Sequence, residues 1–406
     1  MPCRGKPEMH RNIRREVRLV GRAAPPDPRR KFACTHIRAT AVALSLAFTA
    51  ANAQEMTAIG PGEGALNIVA WEGYAQDDWA KPFEQQTGCK LHHKYAGSSD
   101  EMVALMRQGG GGLYDVVSAS GDASLRLIFG HNVAPINISL IPAWKDFVPD
   151  LQSPPFNTVK GVHYGVSYEW GPNVLLWNTD KIKPPPDSWS AIYDQANAGQ
   201  ITVPDNAIQI ADAALYLSKA KPQLGITDPF ELTQQQMDAV VALLQQQKTL
   251  LKKYWSLASD AVDLFRNGDA AIGAAWPYMT NTLREAGAHV AETIPREGAT
   301  GWADSWMLSA HAQHPNCAYM WINFVTTPHV QAQQALSFGE TPANTKACAE
   351  MDKLSAGSCA KYHADAPADY FKRISFWKTP VRQCGNGENT CLDYSAWQQA
   401  WQLVKG

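Results

Sequence analysis

Apolar positions in this chain fall in short blocks whose spacing alternates between two and about 3.6 residues, the mark of strands and helices taken in turn. Asn67-Ile68-Val69-Ala70-Trp71 is a compact apolar run that stops at the polar-aromatic turn Glu72-Gly73-Tyr74, and it reads as a strand. Asp77-Asp78 then cap a predicted helix carrying Trp79 and Phe83 four apart and closed by Gly88. Cys89–Tyr95 alternates as a strand. Ser98-Ser99-Asp100-Glu101 has capping-box spacing, and Met102, Leu105 and Met106 form the stripe of a second helix that stops at the glycine run 109–112. Tyr114–Ala119 is a further apolar strand. Strand, helix, strand, helix, strand at this spacing predicts a parallel sheet with helices packed on it.

The pattern continues through Tyr164–Trp177, and Pro184-Pro185-Pro186-Asp187-Ser188-Trp189 reads as a loop opening a short helix. Gly199–Val203 and Ala270–Ala275 are strand-like, with a long Gln-rich helical stretch from Thr233 to Lys253 between them. Gly301–Leu308 is another strand, and Pro315–Val325 is an amphipathic helix with Tyr319, Trp321, Ile322 and Phe324. No internal repeat is visible. The strands fall into two groups, which predicts two α/β lobes rather than one doubly wound sheet.

One apolar block fits neither lobe. Residues 39–50 (ATAVALSLAFTA) precede Ala51-Asn52-Ala53 and Gln54. A dozen apolar residues are too few to span a bilayer, and a small-x-small triplet is where a signal peptidase cuts. The expectation is an exported protein whose mature chain begins near Gln54, with residues 1–53 a cleaved leader. Residues 1–38 hold nine Arg and two Lys, longer than an ordinary basic leader start, and Arg29-Arg30-Lys31-Phe32 has the form of a twin-arginine signal.

Removing that leader changes the charge. The remaining 353 residues carry 25 basic and 35 acidic side chains, so no basic stripe for nucleic acid is expected, and a cationic ligand is favoured. Cys3 and Cys34 fall in the leader, which leaves six cysteines. In an exported chain an even number reads as disulfides. Cys384 and Cys391 enclose the polar turn Gly-Asn-Gly-Glu-Asn-Thr and pair first; Cys348 and Cys359 enclose another short polar stretch and come next. Cys89 with Cys317 is what remains, one of fifteen possible connectivities overall. No Cys-x2-Cys pair exists and His92-His93 are adjacent, so no metal site is expected, and no cofactor. The glycine run has no lysine after it and the chain has no phosphate-loop motif. It also lacks G-x-S-x-G and H-E-x-x-H. The expectation is therefore a protein that is not an enzyme; a secreted hydrolase with Glu72 and Asp304 as acid and base is the rival.

Several segments resemble one family, the periplasmic solute-binding proteins of ABC importers, in the spermidine/putrescine-binding branch. They are IVAWEGY (68–74), YDVVSASGD (114–122), YEWGPNVLLWN (168–178), ITVPDNAIQIADAA (201–214), AIGAAWPY (271–278), REGATGWADSW (296–306) and the stretch around FGETPAN (338–344). The resemblance covers nearly all of 65–400 and is nearest a divergent subgroup carrying GWAD and SGDASLRL. It implies the two-lobed α/β periplasmic-binding-protein fold, with hinge crossings and a ligand cleft between lobes. Tyr168–Asn173 and Trp302–Asp304 would be the crossings. Lobe 1 would hold 54–168 and about 304–375, lobe 2 would hold 172–302, and 376–406 is left unassigned. Cys89 and Cys317 then share a lobe. The implied function is delivery of a putrescine- or spermidine-like cation to an inner-membrane permease driven by a separate ATPase, by a monomer with no nucleic-acid partner.

A flexible diammonium needs acceptors at each end, aromatic faces along its methylenes and a cleft that excludes water. By resemblance, Trp71 and Tyr74 supply one wall, Ser120 a polar contact, Trp276 and Trp302 further walls, and Asp304 the acid that meets an amine. Asp122 stands where many relatives carry an aromatic ring. Spermidine binders have an Asp and a Glu in the turn matching 205–209, and those positions align here with Asn206 and Gln209. Amides cannot neutralise an ammonium, so Glu72, Asp122, Asp205 and Glu340 are the candidates to compensate. Otherwise the ligand carries fewer positive charges or a carboxylate of its own: an amino acid, γ-aminobutyrate, an opine-like compound or a cationic vitamin. Trp170 and Trp377 are expected to pack at lobe edges.

Overall fold

The computed structural model describes residues 56–108, 112–365 and 370–406. The expected leader, Cys3, Cys34 and the glycines at 109–111 lie outside them. In chain order the strands are β1 (Ala65–Ala70), β2 (Lys90–Tyr95), β3 (Val116–Ala119), β4 (Thr158–Val159), β5 (Val162–His163), β6 (Val166–Pro172) and β7 (Val174–Asn178). They continue with β8 (Ile201–Pro204), β9 (Leu251–Trp255), β10 (Ile272–Ala275), β11 (Val290–Thr293), β12 (Ala299–Leu308), β13 (Thr341–Pro342) and β14 (Ile374–Phe376).

Two sheets organise the chain, each flanked by helices. The first runs β13-β6-β12-β3-β1-β2, with β14 also on β12. The second runs β11-β7-β10-β8-β9, and β4-β5 is a separate hairpin. The parallel arrangement expected at the start of the chain holds for β1 with β2 and β3, but β12 is antiparallel to β3 and β6, so the sheet is mixed. The second sheet repeats the scheme: β8 is parallel to β9 and β10, and β7 is antiparallel to β10 and β11.

Three local expectations change. The first helix is Asp77–Thr87 with Gln76 at its cap, so Asp77 and Asp78 sit inside the first turn, where they face the positive end of the helix dipole. The Gln-rich helix is Gln234–Lys248, opened by a Thr233–Gln236 capping box, and the residues after it form β9. Pairing with β8 and burial of Trp255 override the helical propensity there. Finally, the chain passes between sheets at Asn173 and again over 294–298, so Trp302–Asp304 lie inside β12 rather than in a crossing.

A third passage follows β14. It leads to the C-terminal helix Tyr394–Lys405, which packs on helix Gln234–Lys248, with Trp397 facing Phe230 and Trp401 facing Tyr254. The segment left unassigned thus bridges the two groups: Trp397 and Trp401 join the second sheet's side, while Phe376 pairs with Gly301 of β12 and Thr379 donates to the Asp122 carbonyl on the first. The three passages are tied at one point. Asp212, on helix Gln209–Ala220, accepts hydrogen bonds from Asn173 of the first (3.2 Å), from Thr300 beside the second, and from Gln209 (2.6 Å). Trp377 of the third passage donates its Nε1–H to Thr300 (3.1 Å). Burial lifts the Asp212 carboxyl to about 6, and these donors only partly offset it.

The disulfides are Cys89–Cys317, Cys348–Cys359 and Cys384–Cys391: the last two are the pairs expected from spacing, and the first is the pair that remained. Cys89–Cys317 joins the entry of β2 to helix Pro315–Val325 across 228 residues of sequence, closing the first lobe around the excursion into the second. Among the described residues no helix is long and apolar enough to cross a membrane.

Candidate functional site

Trp71, Ser120 and Trp276 each follow the carboxyl end of a strand that has a parallel neighbour (β1, β3 and β10). This is the edge at which open α/β sheets present ligand sites. Trp302 and Asp304 are two apart on β12 and therefore share a face. Opposite them β6 bulges: Ala303 pairs with Trp170 and Ser305 with Ser167, leaving both Tyr168 and Glu169 facing the single residue Asp304. Gly171 of β6 makes room for Trp302, because a Cβ there would lie 2.9 Å from the indole ring. Gly73, at φ +105°, lets the turn after β1 approach the Phe338 ring, which a Cβ would meet at 3.0 Å.

Trp71, Tyr74, Ser120, Trp276, Trp302, Asp304, Phe338 and Trp377 line one cavity of about 10 Å³. That is room for about one water. Its walls are packed rings: Trp276 meets Trp71 edge-on at 5.5 Å and Trp302 edge-on at 6.1 Å and stacks on Phe338 at 6.3 Å, and Trp302 is tilted against Trp377 at 6.3 Å. Trp276 follows a strand of the second sheet, whereas Trp71 and Trp302 belong to the first. The cavity as it stands is too small for any organic solute, and its walls come from both sheets.

Asp304 is the acid of this cavity. Its Oδ1 accepts from Ser120 Oγ at 2.5 Å and its Oδ2 from Tyr74 OH at 2.8 Å. Burial raises the carboxyl to about 7; the two hydroxyls hold it down in part, and Asp122 pushes it further up. Behind it lies Glu340, which accepts from Trp302 Nε1 at 3.0 Å and from Tyr74 OH at 3.3 Å. Burial, then the neighbouring Asp304, lifts Glu340 well above the usual carboxylate range. Glu169 is lifted likewise by burial and by Glu340 and Asp304, and neither of its oxygens has a hydrogen-bond partner. Three buried acids on one side and no cationic side chain in the lining create a pole that a bound ammonium would hold ionised.

The structure brings together Trp71, Tyr74, Ser120, Trp276, Trp302 and Asp304 of the predicted set, with Glu340 one hydrogen bond behind. The other five do not line the cavity. Glu72 turns to the rim and accepts from the Ser259 backbone N–H (3.0 Å) and hydroxyl (3.2 Å). Asp122 points into its own lobe, accepting from Ser99 Oγ at 2.8 Å, with Arg126 at 3.8 Å. Asp205 pairs with Lys405 of the C-terminal helix at 2.6 Å. Asn206 Oδ1 accepts from the Ile208 N–H (3.1 Å), shaping the turn into helix Gln209–Ala220, and Gln209 is spent on Asp212. In each case a partner elsewhere in the fold holds the polar group.

Two lining residues were missed. Trp377, expected at a lobe edge, walls the cavity because the third passage runs beside Trp302. Phe338, two residues before Glu340, closes its helix against Gly339, which places its ring on Tyr74 at 5.1 Å; its position in the FGETPAN segment was the available signal. Trp170 is core, packed against Phe371 and Phe376.

Residues 78–358 match the family described as bacterial extracellular solute-binding protein. The chain belongs to that family. Among relatives of this solute-binding protein is the spermidine/putrescine-binding periplasmic protein of Escherichia coli K12, 25% identical over 307 residues, covering 75% of this chain and 83% of that one. Two solved structures show the shared two-lobed fold. The spermidine/putrescine substrate-binding protein PotD of Streptococcus pneumoniae superposes with a TM-score of 0.63 at 18% identity, over 84% of this chain and 98% of that one. MotA of A. tumefaciens B6, in complex with glucopine, gives 0.67 at 16% identity, over 84% and 100%.

Proposed function

We propose that this solute-binding protein is the receptor of an ABC importer for a small organic cation bearing a protonated amine, the class that includes the polyamines named in its relatives. The observation that carries the reading is Asp304, held by Ser120 and Tyr74 inside a box of aromatic rings. An ammonium bound there gains a charge-assisted hydrogen bond and ring-face attraction in a dry cleft. Its alkyl body gains burial against tryptophan, and micromolar affinity asks for about 8 kcal/mol net.

In this reading the chain is exported, its leader is removed near Gln54, and it acts as a monomer. The lobes are built on the two sheets, with the C-terminal helix in the second. Ligand shifts the open–closed equilibrium, and an inner-membrane permease with its own ATPase accepts the closed form. Amino-acid and opine-like solutes form the second reading, favoured by the lack of a second carboxylate in the cavity lining. The hydrolase alternative loses its acid–base pair, because Glu72 is committed to Ser259 outside the lining.

A thermal-shift screen of amines, basic amino acids, γ-aminobutyrate and sugars, with calorimetry on each hit, tests the proposal. A saturable shift with an amine recovered unchanged is the expected result. Response only to sugars or other uncharged solutes, or turnover of the ligand, overturns it.

A further inference from the structure

We infer that the ligand presents one ammonium and, at its other end, an uncharged hydrogen-bond acceptor such as a hydroxyl or carbonyl oxygen, so that the site prefers amino alcohols over diamines. This deepens the cation-receptor reading and rests on it. The argument begins with where charge stands around the cavity. Asp304 is its one lining carboxylate, and the acids behind it, Glu340 and Glu169, interact with it from the same pole. The remaining carboxylates that sequence placed at the site are engaged elsewhere, with Ser259, Ser99, Arg126 and Lys405. Asp212 is enclosed by Thr300, Asn173 and Gln209 at the passages between sheets.

A second ammonium would therefore be desolvated against indole rings with no carboxylate to meet it. Ring-face attraction offsets only part of that cost. A ligand carboxylate fares no better, since no Lys, Arg or His lines the cavity.

The second observation is independent of charge. Trp71 lines the cavity, is 3% exposed, and its buried Nε1–H has no partner. A buried donor left unpaired is costly, so an occupant that accepts from it is favoured. An ammonium has three donors and no acceptor, and a diamine leaves this group as it was. A hydroxyl, ether or amide oxygen satisfies it. One anionic pole and one orphaned donor describe a ligand with a cationic end and a neutral oxygen.

The test is calorimetry of the purified protein with four ligands of matched length: butylamine, putrescine, the corresponding amino alcohol (aminobutanol) and γ-aminobutyrate. Aminobutanol is expected to bind at least about tenfold tighter than putrescine, and tighter than butylamine. Trp71→Phe is expected to erase the advantage of aminobutanol over butylamine while both still bind; retention of that advantage removes Trp71 from the argument and overturns the acceptor. Putrescine binding within tenfold of aminobutanol, or tighter, overturns the inference and leaves the cation receptor standing, as does γ-aminobutyrate binding tightest. Failure of all amines, with a response to a sugar, sinks the parent reading instead. The wild-type comparison needs no variant to fold.

Discussion

Asp304→Asn should make the unliganded protein more stable and nearly unable to bind. The carboxyl sits fully buried with its pKa raised from an ordinary 3.8 to about 7, chiefly by desolvation. A carboxyl raised in the folded state holds its proton there to a higher pH than in the unfolded chain. Stability therefore falls as pH rises from about 4 to about 7, and the whole penalty is present above 7. Three pKa units correspond to about 4 kcal/mol at pH 8, an upper figure that neighbouring relaxation reduces to about 2–4.

Asparagine carries no such penalty. The Ser120 and Tyr74 hydroxyls donate to Asp304 now, and each can turn to accept from the amide instead. In a chain of this size a gain of 2–4 kcal/mol raises the melting temperature by about 3–6 °C. At pH 5 the folded carboxyl is protonated while the unfolded one is already largely ionised, so about a third of the penalty is present and the gap in melting temperature should shrink to about a third of its pH 8 value. Ligand affinity moves the other way: breaking a buried, hydrogen-bonded ion pair costs about 3–5 kcal/mol, a loss of at least about a hundredfold. Melting scans at pH 5 and pH 8, with calorimetry at pH 8, measure both. Equal melting temperatures at pH 8 together with affinity within a factor of ten would refute the reasoning for both the burial penalty and the amine contact.

The same carboxyl sets the pH dependence of binding in the wild type. Because a cation binds the ionised form, affinity should rise about tenfold per pH unit from pH 5 and level off above about 7; a flat profile would remove Asp304 from the contact. Thr300→Val deletes the hydroxyl shared by Asp212, Asn173 and Trp377; Thr300 itself does not line the cavity, and of the wall residues it holds Trp377. The substitution should lower stability by about 1–3 kcal/mol and weaken binding through the open–closed balance, seen as a larger unliganded radius in X-ray scattering; an unchanged radius and affinity would reduce the node to packing. Removing Cys89–Cys317 as a double alanine variant should cost about 2–5 kcal/mol by calorimetry, and more than removing Cys384–Cys391, because it closes a loop of 228 residues rather than 7. The reverse order would show that the long bond acts through the folded state rather than through the chain it constrains.

The elements that the sequence displayed best were those whose pattern is local. β1, β2, β3 and helix Ser99–Gln108 follow from period and from turn residues, since side-chain alternation and capping act within a few positions. β9 was hidden because Leu251–Trp255 becomes a strand only by pairing with β8, about fifty residues earlier. Helices such as Gln209–Ala220 and Ala258–Arg266 went unread for a different reason: their N-cap residues, Ile208 and Leu257, are apolar and give no capping signal in the sequence.

At the site the same division holds. Sequence by itself determined the cysteine pairs enclosing short polar turns, because these follow from spacing along the chain, while Trp71, Tyr74, Trp276, Trp302 and Asp304 were placed at the site by family resemblance. It also named Asp304 and Glu340 but not Glu169, the third buried acid beside them. Which of the named polar residues faces the cavity was decided only by tertiary structure: Asp205 by a lysine two hundred residues away, Glu72 by the helix across the rim, Gln209 by the knot at Asp212. A carboxylate is equally polar wherever it stands, so its partner, and with it its chemistry, depends on which donors the folded chain brings within hydrogen-bonding distance.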